Sequence, residues 1–105
     1  MRLRGKKLGL LISVPPGHPN FNHGIRLAET AVARGVAVYL YCIDEAVKGL
    51  DDPRVQRLKS GGLKLFACAY GAQRRGIPPG EQATFGGLTI VNDLITATDR
   101  FLSFN

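Results

Sequence analysis

Three short apolar runs, each handing over to a stretch of helical spacing, constrain the fold of this chain more than any other feature. Residues 7–14 read KLGLLISV, residues 36–43 read VAVYLYCI, and residues 63–68 read LKLFAC. The first is nearly continuous in apolar residues and bounded by charge and by Pro15-Pro16-Gly17, as a central parallel strand is. The second is rich in β-branched and aromatic residues. In the third, Leu63, Leu65 and Ala67 share one face and Lys64 and Phe66 the other. Between the first two runs, Ile25, Ala28, Ala31 and Val32 recur at helical spacing, with Arg26, Glu29 and Arg34 mainly opposite. Asn20 or Asn22 is positioned to cap that helix, and Gly35 to stop it.

The rest of the chain keeps the same alternation. Asp52 can cap a helix whose first position is Pro53, with Val55 and Leu58 inward and Gly61-Gly62 at its end. A brief turn over residues 46–50 precedes it. After the third strand come a short helix over 71–75, the loop Pro78-Pro79-Gly80, and a helix over 88–98. Leu88, Val91, Ile95 and Thr98 line one side of that helix, and residues 100–104 (RFLSF) form a final strand. This pattern predicts an α/β fold: one three-layer α/β/α sandwich over residues 1–105, with a mostly parallel sheet of four or five strands. The fifth would be short and lie after Ile77. A right-handed crossover is the expected hand of its βαβ unit.

The chain of 105 residues is 45% hydrophobic and 21% charged, ordinary values for a globular domain with a real core. Its net charge of +6 is concentrated at the start, where Arg2, Arg4, Lys6 and Lys7 fall within seven residues. Such an arm reads first as a solvated tail and second as a contact for nucleic acid or an acidic partner. No aromatic residue is interleaved with it, so the stacking expected of a single-strand binder is missing, and direct nucleic-acid binding is not expected. The opening has the charge order of a signal peptide. Its apolar run is short, however, ends in Pro-Pro-Gly, and is followed by no small-x-small site. No run approaches transmembrane length. The expectation is a cytoplasmic protein without a membrane partner.

Dinucleotide, P-loop and nucleophile-elbow motifs are all absent. His18 and His23 read as loop or capping histidines rather than metal ligands. Asp44 and Glu45 are neighbours, so on a strand they would point apart, and in a helix they would open the next turn. Two cysteines remain, Cys42 and Cys68, in no metal-ligand or redox spacing. Cys42, inside VYLYCI, reads first as a small buried hydrophobe, with a resolving role as the alternative. Cys68 stands at the carboxyl end of the third strand, where ligands and chemistry collect in parallel α/β sheets. A helix amino terminus and the guanidinium groups of Arg74 and Arg75 nearby would both favour thiolate over thiol.

The run Cys68-Ala69-Tyr70-Gly71-Ala72-Gln73-Arg74-Arg75-Gly76-Ile77, with Ala33-Arg34-Gly35, the VYLY strand and the ending Thr98-Asp99-Arg100-Phe101-Leu102-Ser103-Phe104, resembles the DsrE/TusD-like family of small sulfur-relay proteins. In the TusD-like branch the sulfur-carrying cysteine stands six positions before an Arg-Arg-Gly, as Cys68 does here. The chain departs from that branch at Tyr70, Gly71 and the segment His18–Asn22, which leaves the pathway open. The resemblance implies a sulfur carrier or sulfurtransferase: Cys68 takes sulfane sulfur as a persulfide and passes it between protein thiols, with neither metal nor organic cofactor. By proximity in sequence, Arg74 and Arg75 are candidates for anion stabilisation or partner docking, and Cys42 for a secondary thiol. Donor and acceptor proteins with reactive cysteines are the implied partners. The implied assembly is a homo-oligomer, trimer or hexamer, or a hetero-oligomer of related subunits. The rival reading is a non-enzymatic oligomeric subunit that binds a partner or small ligand at the strand ends. A third is a redox module in which Cys42 and Cys68 form a disulfide.

Overall fold

The computed structural model describes residues 2–105. In chain order its elements are β1 (Lys7–Ile12), α1 (Pro19–Ala33), β2 (Ala37–Cys42), a 3-10 turn (Asp44–Gly49), α2 (Pro53–Ser60), β3 (Lys64–Cys68), α3 (Ala69–Arg74), β4 (Thr84–Gly86), α4 (Thr89–Ala97) and β5 (Arg100–Phe104). The five strands form one sheet in the order β4-β3-β2-β1-β5, and every pairing is parallel. The expected α/β architecture is therefore the observed one. Its short fifth strand is β4, after Ile77.

Alternation along the strands divides the interior into two layers of unequal depth. Leu10, Ile12, Val38, Leu40, Cys42, Leu65 and Ala67 point to one side, where Phe21, Ile25 and Ala28 of α1 and Val55 and Leu58 of α2 close the main core. Full burial of side chains of this kind is worth roughly 1.5–3 kcal/mol each relative to exposure. The other side holds a smaller cluster of Tyr41, Cys68 and Leu94. Leu11, Tyr39, Phe66, Ile90, Val91 and Phe101 border it and are only partly buried.

Three local expectations change. Helix α1 starts at Pro19, six residues before Ile25, where the expected apolar spacing begins, and its cap is His18, whose Nδ1 accepts the Asn20 amide hydrogen at 3.1 Å. Neither Asn20 nor Asn22 caps it. Proline at the first helical position supplies the right φ and needs no amide partner, and Phe21, one turn before Ile25, carries the buried face into this first turn. Helix α3 likewise begins at Ala69 rather than two residues later. In α4 the packed face is Ile90, Val91 and Leu94, whereas Leu88 is 63% and Ile95 52% exposed. Leu88 is the helix cap, and the face laid on the sheet is rotated by one position from the expected stripe. As expected, Asp52 caps α2 by accepting the Arg54 amide hydrogen at 2.8 Å. No helix among the described residues is long and apolar enough to cross a membrane.

Candidate functional site

Strand β3 runs into α3 without a loop, so Cys68 is both the last strand residue and the cap of the helix (φ −68°, ψ 114°). A cap leaves free amide donors in front of it. Here the Cys68 sulfur accepts the Gly71 amide hydrogen at 3.3 Å. Cys68 as a residue is 7% exposed, and its side chain faces the thinner layer beneath α4. Both cysteines are free.

The sulfur's neighbour in that layer is Tyr41, fully buried on β2. Its hydroxyl donates to the carbonyls of Gly86 and Gly87, at 3.3 and 3.4 Å, at the end of the edge strand β4. Burial first, and then the adjoining Cys68 sulfur, push the phenol well above its ordinary value of 10.0. Tyr41 is thus a protonated donor beside the thiol. Sequence reading passed over it. The signal was present: Tyr41 adjoins Cys42 and so faces the opposite side, and a tyrosine buried there needs a polar partner.

Arg75 is placed differently from the sequence expectation. Its Nε donates to Glu45 Oε2 at 2.6 Å and its Nη1 to the Gly71 carbonyl at 3.1 Å, tying α3 to the 3-10 turn. Glu45 also accepts from Lys48, and these two cations, Lys48 foremost, hold its carboxyl below the usual range. Arg74 lies on the exposed side: its Nη1 donates to the Tyr70 hydroxyl at 2.9 Å, with the guanidinium 5.7 Å from the ring centre. Among the described residues neither guanidinium hydrogen-bonds to the Cys68 sulfur, whose donor is the Gly71 amide. The two arginines therefore flank the site, one as a brace and one on the surface.

Cys42 pairs with Ala67 across β2 and β3, one residue short of Cys68. Its side chain lies in the main core while that of Cys68 lies in the opposite layer, so the sheet separates the two thiols. Complete burial pushes the Cys42 thiol up to about 12. His18 serves as the helix cap and His23 is exposed on α1. No group of three or more His, Cys, Asp or Glu side chains suited to a metal gathers among the described residues. A groove of about 530 Å³ runs between α3 and the following loop, lined by Ala69, Ala72, Ile77, Pro79 and Phe85. Cys68 does not open into it.

No protein-family model matches the chain, and no curated protein does. Solved structures do. The YchN protein of E. coli superposes with a TM-score of 0.77 at 17% identity, over 94% of this chain and 98% of that one. A conserved protein of unknown function from Bacteroides thetaiotaomicron gives a TM-score of 0.73 at 18% identity, over 93% and 94% of the two chains. At these identities the likeness is one of fold alone: the chain shares the α/β fold of these two structures.

Proposed function

We propose that this protein is a sulfur carrier that holds sulfane sulfur on Cys68. The observation that carries this reading is the Cys68 sulfur at the end of a parallel strand, accepting a helix-terminal amide hydrogen. Such a bond is stronger toward a charged sulfur than a neutral one. In the loading step the Cys68 thiolate attacks the outer sulfur of a donor persulfide. The donor S–S bond breaks, its electron pair leaves on the donor cysteine as thiolate, and the new S–S bond forms at Cys68. Unloading repeats the exchange with an acceptor thiolate, so the cycle needs no oxidant or reductant. Arg75 keeps α3 in position through Glu45, and the exposed Arg74 is the docking contact for a partner protein.

The 7% exposure of Cys68 supports a second reading, a non-enzymatic subunit in which the thiol only caps α3. Intact-mass measurement after incubation with a persulfide donor separates the two. Relay predicts one added sulfur, about 32 Da per thiol-to-persulfide step, retained in Cys42→Ala and lost in Cys68→Ser. An unmodified native protein whose thiols react only after unfolding would establish the subunit instead.

A further inference from the structure

At the opposite end of the sheet from Cys68 the strands begin, and there the basic N-terminal segment is not a free tail. The Gly5 amide donates to the Gly35 carbonyl at 3.1 Å, and the Ala37 amide to the Lys6 carbonyl at 2.8 Å. Gly35 has φ +83°, and a Cβ there would lie 3.2 Å from the Arg4 side chain laid across it. Anchored in this way, the segment forms one wall of a groove of about 630 Å³ against the end of α1 and the starts of β1 and β5.

The groove has two chemistries. Its lining is mostly apolar, with Leu3, Leu8, Leu27 and Val36 contributing. Five cations also line it: Arg2, Lys6, Lys7, Arg34 and Arg100. The single carboxylate present, Asp99, accepts the Lys7 backbone amide hydrogen at 2.7 Å. The ion pairs among the described residues lie elsewhere, at Glu45 and Asp52, so no carboxylate pairs with any of these five side chains. An apolar floor favours a ligand with a hydrocarbon part, and the unpaired cations favour an anionic head. The lining contains no aromatic face on which a nucleobase could stack. The volume falls in the range of roughly 300–1,000 Å³ typical of small-molecule sites.

We propose that this groove binds an aliphatic carboxylate, its chain along the leucine-lined floor and its carboxylate among the cations. Nothing in this site depends on Cys68.

The test is calorimetric titration of the full chain with sodium dodecanoate below its micelle concentration. Dodecyltrimethylammonium and acetate serve as controls. The expected result is one saturable site for dodecanoate, with no heat from acetate and at least tenfold weaker binding of the cationic amphiphile. Arg34→Glu with Arg100→Glu should weaken dodecanoate at least tenfold while leaving the circular dichroism and thermal midpoint unchanged; Cys68→Ser should bind as wild type does. If the double variant misfolds, Lys6→Glu, at an exposed position, is expected to weaken binding in the same direction. Equal affinity for the cationic chain, indifference to charge reversal, or no dodecanoate binding would overturn the assignment. Binding of an alternating Glu-Leu peptide in place of dodecanoate would also overturn it, and would mark the groove as a protein contact.

Discussion

Cys42 and Cys68 have the same side chain and occupy neighbouring strands, yet the sheet gives them different chemistry. Cys42 is fully enclosed by hydrocarbon, and nothing in the core compensates a charge there. With its thiol at about 12 when folded and near its ordinary 9.0 when unfolded, the unfolded chain releases a proton first as pH rises. Stability contributed by this group is complete below pH 9.0 and is lost as pH climbs toward about 12. The slope is up to about 1.4 kcal/mol per pH unit. Tyr41, also raised by burial, acts in the same direction at higher pH. Denaturant titrations of wild type and Cys42→Ala are therefore expected to run parallel below pH 9.0 and to converge above it, as wild type alone pays for ionising Cys42. Identical slopes throughout would show that the buried thiol carries no such linkage. The small buried hydrophobe expected at Cys42 from sequence agrees with its burial. The opposite facing of the two thiols was not legible, because it depends on the register of β2 against β3, in which Cys42 meets Ala67.

At the scale of elements, chain order and local chemistry were informative where a residue had one dominant preference. Asp52-Pro53 fixed the start of α2, and Leu63, Leu65 and Ala67 all entered the main core as alternation required. The reading weakened where several residues could serve. Leu88, Ile90, Val91, Leu94 and Ile95 offer two overlapping apolar stripes, and only docking against the sheet selects one. Truncating Leu94, 7% exposed, to alanine is expected to destabilise the protein by about 2 kcal/mol or more. Truncating Ile95, 52% exposed, should change stability by no more than about 0.5 kcal/mol. Thermal or denaturant unfolding of the two variants decides the matter, and the reverse ranking would restore the stripe predicted from spacing. The brace from Glu45 to Arg75 was equally hidden, since its ends stand 30 residues apart. Asp44-Glu45 gave no sign in sequence beyond the opening of a turn.

Over the whole molecule, the strand order was the least legible feature. Local patterning finds strands but cannot say that β1 receives β2 on one side and the last strand, β5, on the other. That arrangement bears on how the chain is made. Lys7 and Asp99, 92 residues apart, are joined by a hydrogen bond at the mouth of the β1–β5 pairing. Neighbours β2 and β3 emerge early in synthesis, but the outer edge of β1, with Leu8, Leu10 and Ile12, waits for residues 100–104. Contacts this distant in sequence form slowly, and an unpaired apolar edge is a template for self-association. A chain stopped at residue 99 is expected to scatter light on refolding at concentrations where the full chain stays clear. Clear solutions of both would show that the edge is harmless unpaired. For a nascent chain, the hazard is one of timing: β1 is made well before β5, the strand that covers its second edge.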